Sequence, residues 1–99
     1  MQDLNDMVYF AEVVDQGGFA AAGRSLGIPK SRLSRRVAEL EAQLGARLLQ
    51  RTTRRVALTD AGDAFYRHCA AMRESARAAQ DAVAALQVAP RGLVRLSFA

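Results

Sequence analysis

The 99-residue sequence has one cysteine, Cys69, and one histidine, His68. With a single thiol no internal disulfide can form. Neighbouring helical residues point about 100° apart, so His68 and Cys69 make no ligand pair, and no further Cys or His exists to complete a zinc site. A redox role for Cys69 needs a lowered pKa and exposure, and the sequence advertises neither; a packed cysteine is expected. No apolar run is long enough to span a membrane. The opening "MQDLNDM" is acidic, where a signal peptide would be basic. These absences lead to the expectation of a cytoplasmic protein without membrane contact. There is no glycine-rich phosphate loop, and the carboxylates fall at spacings that build no catalytic pair. An enzyme is not expected, nor is a cofactor or metal.

What is present is alanine, leucine and arginine. Half of the residues (51%) are hydrophobic, enough for a modest core, and the many alanines favour helices over strands. The formal net charge is +4. It is distributed unevenly: Arg24 to Arg55 holds nine basic residues against Glu39 and Glu41, a window of +7, which leaves −3 for the rest. A basic segment that concentrated points to a polyanionic partner.

Leu4, Met7, Val8, Ala11 and Val14 recur at helical spacing, and Gly17-Gly18 stops that helix. Phe19 to Leu26 is a short second helix ending at Gly27, and "GIP" is a tight turn. Pro29 suits the first position of a third helix, where its missing N–H costs nothing. Leu33, Val37, Leu40 and Leu44 then form one apolar stripe, with Arg32, Arg35, Arg36, Glu39 and Gln43 turned away from it; Gly45 supplies the stop. In "RLLQRTTRRVALT" the alternation of Leu49 and Arg51, then of Val56 and Leu58, predicts a small hairpin, although the turn lacks an Asn-Gly signal. Thr59 is a candidate N-cap with Asp60 and Asp63 in the first turn, but the capping-box partner is absent because residue 62 is glycine.

From Phe65 onward the pattern is regular: Phe65, Cys69, Met72, Ala76, Ala79, Val83 and Leu86, a heptad seam over three repeats. A helix over residues 60–87 would be roughly 40 Å long, more than a small core can cover. Its seam therefore predicts pairing with a second copy. "APRG" ends the helix, and "LVRLSFA" alternates like the first strand of a domain the sequence does not contain. The expected division is 1–59, 60–88 and 89–99.

Helix, helix, tight turn, helix, hairpin is the order of a winged helix-turn-helix. The expected fold is mainly α, with three helices and a two-stranded wing followed by a long dimerisation linker helix. The basic outer face of the third helix fits the major groove, where Arg and Lys bond guanine O6 and N7. Flanking arginines would hold phosphates, and Arg51, Arg54 and Arg55 would place a wing over the neighbouring backbone or minor groove.

The stretch "FAEVVDQGGFAAAGRSLGIPKSRLSRRVAELEAQLGARLLQRTTRRVALTDAGDAFY" resembles the N-terminal DNA-binding domain of LysR-type transcriptional regulators, most specifically in "LSRRVAELEAQLGARLLQR" and "LTDAGDAFY". The likeness is close from about Leu4 to Tyr66 and extends in pattern to about Gln87. It implies a cytoplasmic, sequence-specific binder of double-stranded DNA that acts as a homodimer, or a higher oligomer in a full-length parent. It also implies antiparallel linker helices, and a C-terminal domain, absent from this sequence, that takes a small-molecule effector. The family's base-reading positions fall on Lys30, Ser31, Ser34 and Arg35, with Arg54 in the wing. Arg32, Arg36, Arg51, Thr53 and Arg55 fall on phosphate positions. There are departures. Many members have Ser-Gln-Pro where this sequence has Pro29-Lys30-Ser31. A lysine favours guanine or a phosphate where glutamine favours adenine. Gly18 and Ala20 stand where many members carry hydroxyl residues, which removes a possible phosphate hydrogen bond.

Two other functions fit the same elements: a nucleoid-type protein that binds DNA without sequence preference, and a winged helix used for protein interaction. Lys30, Ser34 and Arg35, placed to reach base edges, argue against the first, and the +7 window argues against the second.

Overall fold

A computed structural model describes residues 3–51 and 56–88. The element order is α1 (Leu4–Gln16), α2 (Phe19–Leu26), α3 (Lys30–Leu44), β1 (Leu49–Arg51), β2 (Val56–Leu58) and α4 (Asp60–Val88). This is the expected winged helix-turn-helix with a long trailing helix. The turn of the hairpin, residues 52–55, and the expected hinge and strand, residues 89–99, lie outside the described residues.

Helix α1 starts at Asp3, whose carboxylate accepts the Asn5 N–H at 2.9 Å. Between α2 and α3 the Gly27 and Ile28 amides both donate to the Gly23 carbonyl, at 2.8 and 3.1 Å. A Cβ on Gly23 would sit 2.9 Å from the Ile28 carbonyl oxygen, so glycine there lets the turn close. Pro29 is the residue before α3 rather than its first: its backbone is extended (φ −62°, ψ 142°) and its carbonyl accepts the Leu33 N–H. The strands pair antiparallel with Leu49 opposite Leu58, Gln50 opposite Ala57 and Arg51 opposite Val56.

The core collects Phe10, Ala11 and Val13 from α1, Ala22 from α2, Leu33, Val37 and Leu40 from α3, Leu48 and Leu49 at the wing, and Cys69 from α4. The Phe10 and Phe65 rings tilt against each other with centroids 5.7 Å apart. Each large side chain buried this way contributes about 1.5–3 kcal/mol. Leu44, expected in the core stripe, is 36% exposed because it lies on the last turn of α3, beyond the packed layer. Helix α1 is central, touching α2, α3, α4 and β2.

Helix α4 has 29 residues and gives the molecule its length, 58 × 26 × 19 Å. Its first half packs on α1 and β2, whereas every residue from Glu74 to Gln87 is exposed. Among the described residues, no helix is long and apolar enough to cross a membrane.

Candidate nucleic-acid interface

Burial of Leu33, Val37 and Leu40 fixes how α3 is rotated. The opposite face then carries Ser31, Arg32 and Arg35 into solvent, with Lys30 exposed at the start of the helix and Ser34 half-buried. These residues lie on one continuous surface at the beginning of α3. Thr53, Arg54 and Arg55 lie outside the described residues. Arg51 lies on β1, which places it at the wing by its backbone.

Arg36 departs from the phosphate role expected of it. It lies on the flank of α3 facing α1, and its half-exposed head group is engaged by the start of α1. Nε donates to Asp6 Oδ1 at 2.7 Å and a terminal nitrogen donates to Asp3 Oδ2 at 2.8 Å. The guanidinium also lies over the Tyr9 ring, 5.9 Å from its centroid. Asp6 is buried. The Asn5 amide, then Arg36, hold the Asp3 carboxyl below its ordinary range, and the two carboxylates raise Arg36 further. Sequence reading missed this because nothing at the level of residue type pairs an aspartate in the first helix with an arginine thirty residues later.

Glu41 is buried although it carries a carboxylate. One carboxylate oxygen, Oε2, accepts the backbone N–H of Leu48 at 2.8 Å and of Leu49 at 3.1 Å. The end of α3 thereby caps the start of the wing. The other side of the wing is tied to α4. The Leu48 carbonyl accepts the Thr59 N–H at 3.0 Å. Thr59 Oγ1 accepts the Gly62 N–H at 2.9 Å and donates to the Arg47 carbonyl at 2.5 Å. Thr59 therefore caps α4 as expected. Residue 62 is glycine for a reason unrelated to capping: a Cβ there would lie 1.9 Å from the Leu48 carbonyl oxygen.

A second polar network joins α4 to α1 and α2. Tyr66 donates to Asp15 Oδ1 at 2.5 Å, and Arg73 bonds Asp15 Oδ2 at 2.6 Å and Glu12 Oε1 at 3.5 Å. Glu12 Oε2 accepts from Gln16 at 2.8 Å and from Ser25 on α2 at 2.6 Å. Burial pushes the Asp15 carboxyl up, but the hydrogen bonds from Tyr66 and Arg73 outweigh it and leave it below its ordinary value. The bond to Asp15, then burial, raises the Tyr66 phenol.

The heptad seam divides. Phe65 packs on the core and Cys69 is fully buried in it, so Cys69 is not available to a partner helix. Burial raises its thiol to about 11, against a smaller opposing effect of Arg73. Met72 is half-buried, and Ala76, Ala79, Val83 and Leu86 are exposed. The apolar row open to solvent runs instead through Ala64, Ala71, Met72, Ala79, Ala82, Val83 and Leu86, with His68 and Ser75 within it. Val83 is 56% and Leu86 76% exposed. At the other end of this row Leu44, Ala46, Ala61, Ala64, Phe65 and His68 line a shallow apolar hollow. Among the described residues no cluster of His, Cys, Asp and Glu could hold a metal ion.

The arrangement defines a winged helix-turn-helix with a basic third helix and a projecting fourth. Residues 4–63 match the family model of the bacterial regulatory helix-turn-helix protein of the LysR type. The chain belongs to the LysR family. It is 52% identical over 95 residues to an HTH-type transcriptional regulator of Xanthomonas campestris pv. campestris, covering 96% of this chain and 28% of that protein. Among solved structures it is similar to the BenM DNA-binding domain in complex with catB site 1 DNA, with a TM-score of 0.80 at 28% identity, covering 91% of this chain and all of that one. It is also similar to full-length CbnR complexed with its target DNA, with a TM-score of 0.73 at 33% identity, covering 85% of this chain and 29% of that one. The chain spans less than a third of the length of the curated relatives it matches.

Proposed function

We propose that this chain is the DNA-binding part of a transcriptional regulator that reads double-stranded DNA in sequence-specific fashion. The observation that carries this reading is the exposed row Lys30–Ser31–Arg32–Arg35 at the start of a helix whose other face is locked in the core. In this reading Lys30, Ser31, Ser34 and Arg35 meet base edges in the major groove, with Arg54 of the wing in the adjacent minor groove. Arg32, Arg51, Thr53 and Arg55 hold phosphates. The protein acts as a homodimer on an interrupted inverted repeat. The exposed apolar row of α4 supports pairing, and its layout supports an antiparallel one. Val83 and Leu86 stand at one end and the apolar hollow at the other, roughly 30 Å along the same helix. Two antiparallel copies seat both ends at once; two parallel copies leave both hollows open. Effector binding belongs to a domain beyond this chain.

The test is a binding titration of selected and scrambled duplexes at two salt concentrations, the selected set taken from genomic fragments retained by the protein. Arg35→Ala should cost roughly 1–3 kcal/mol on the selected site and relax preference at one base pair. Lys30 should bring guanine enrichment to one position of each half-site. Equal affinity for selected and scrambled DNA would instead favour the nucleoid-type reading.

A further inference from the structure

Arg35 and Arg36 are adjacent and chemically identical, yet the fold treats them in opposite ways. Arg35 is exposed. Arg36 is half-buried, spends Nε and one terminal nitrogen on Asp6 and Asp3 of the α1 start, and lies over Tyr9 of the same helix. Two carboxylates of the α1 start face one guanidinium, so the three groups together carry a formal charge of −1 and Arg36 adds no net positive charge to this edge of α3. Asp3 is also the residue that caps α1, so the clamp ties the first turn of α1 to the middle of α3. Ion pairs with planar, two-nitrogen geometry fix orientation more firmly than a single point contact.

We infer that Arg36 is a positioning residue for DNA recognition: clamped by Asp3, Asp6 and Tyr9, it sets the angle at which α3 presents Lys30, Ser34 and Arg35, and takes no phosphate itself. The inference rests on the DNA-binding reading above. Asp3 and Asp6 act with it in a second way. They withhold a cation from the phosphate backbone, which lowers affinity for arbitrary DNA and raises the ratio of specific to non-specific binding. The hollow lined by Tyr9, Arg32, Arg35, Arg36 and Glu39 marks the boundary, with outward cations on one side and the clamped one on the other.

The experiment measures affinity against salt for a selected and a scrambled duplex with the wild-type chain, Arg36→Ala and Asp6→Ala. Amide hydrogen exchange of α3 is measured on each free protein. Removing a phosphate contact lowers the slope of log affinity against log salt by about 0.9 per contact. The clamp requires that Arg36→Ala leave that slope unchanged while the ratio of specific to scrambled affinity falls severalfold. Asp6→Ala should steepen the slope as the freed guanidinium reaches phosphate, and should lower the same ratio. In both variants exchange should quicken in α3 without DNA present. A shallower slope for Arg36→Ala with an unchanged ratio would overturn the proposal, as would wild-type exchange in both variants. Wild-type protein that fails to discriminate the two duplexes would overturn the DNA-recognition reading instead, and the exchange measurement still decides the clamp.

Discussion

Substituting Glu41 tests the claim that the wing is held at its root by a buried carboxylate. In Glu41→Ala the Leu48 and Leu49 amides, on residues each 1% exposed, lose the oxygen they share at 2.8 and 3.1 Å. A buried N–H left without an acceptor costs about 1–3 kcal/mol. The two together cost roughly 2–4 kcal/mol once water reaches part of the gap. Against a total stability of about 5–15 kcal/mol this is a severe loss, and at about 4–8 °C per kcal/mol it lowers Tm by roughly 10–30 °C. Glu41→Gln keeps an acceptor in place and forfeits only the charge assistance, about 1 kcal/mol. The assay is thermal and urea unfolding followed by circular dichroism at fixed protein concentration, since dimerisation would otherwise enter the result. Variants that both unfold within about 0.5 kcal/mol of wild type, or a Gln variant as damaged as the Ala variant, would refute the capping account.

Three further outcomes follow from the contacts of α4. Asp15 has a lowered pKa when folded, so its contribution is present above its unfolded value, near 3.8, and is lost as pH falls through the lower folded value. Tyr66 has a raised one, so its contribution is present below about pH 10 and is lost as pH rises through the folded value. Stability should therefore plateau between these limits, and Asp15→Asn should flatten the acid limb in melts taken across pH; an unchanged acid limb would remove the network from the account. Cys69, raised to about 11, holds roughly a hundredfold less thiolate than an ordinary cysteine. Its labelling by a thiol-specific disulfide reagent should be slow in the native protein and fast in urea, and equal rates would place it outside the core. Leu86→Glu, at a side chain 76% exposed, should leave the winged domain folded and abolish self-association; sedimentation showing a wild-type monomer at micromolar concentration would refute the dimer.

The helices, the hairpin strands and the outward face of α3 were all readable from the sequence, because each rests on local signals. Apolar spacing marks a helix face, glycine marks its end, and alternation marks a strand. Leu33, Val37 and Leu40 also told which side of α3 faces out. What could not be read were contacts between elements. Arg36 and Glu41 lie on opposite flanks of α3, and spacing classes both as polar positions. Only the packing of α1 against one flank and of the wing against the other turns the first into an ion-pair partner and the second into a buried cap. Gly62 shows the same limit: it read as a missing capping-box residue, whereas the Leu48 carbonyl oxygen leaves no room there for a Cβ.

The seam of α4 shows why a repeat alone does not assign partners. A helix that docks on its own domain and also pairs with a copy needs two apolar rows. At about 100° per residue two such rows can lie close enough to share positions. Gly62, Phe65, Tyr66, Cys69 and Arg73 form the row that faces α1 and the core. Ala64, His68, Met72, Ser75, Ala79, Val83 and Leu86 form the other. The heptad read from Phe65 starts on the first row with Phe65 and Cys69, crosses to the second at Met72 and, apart from Ala76, stays there, since steps of three and four satisfy both. Cys69 belongs wholly to the first row and Leu86 wholly to the second. Past Glu74 the winged domain no longer covers the helix, and only the second row is left to account for its apolar side chains. Past Glu74 that row opens with Ser75 and Ala79, small side chains that leave room for close approach of another helix. Its large residues past Glu74, Val83 and Leu86, lie beyond the reach of the described winged domain.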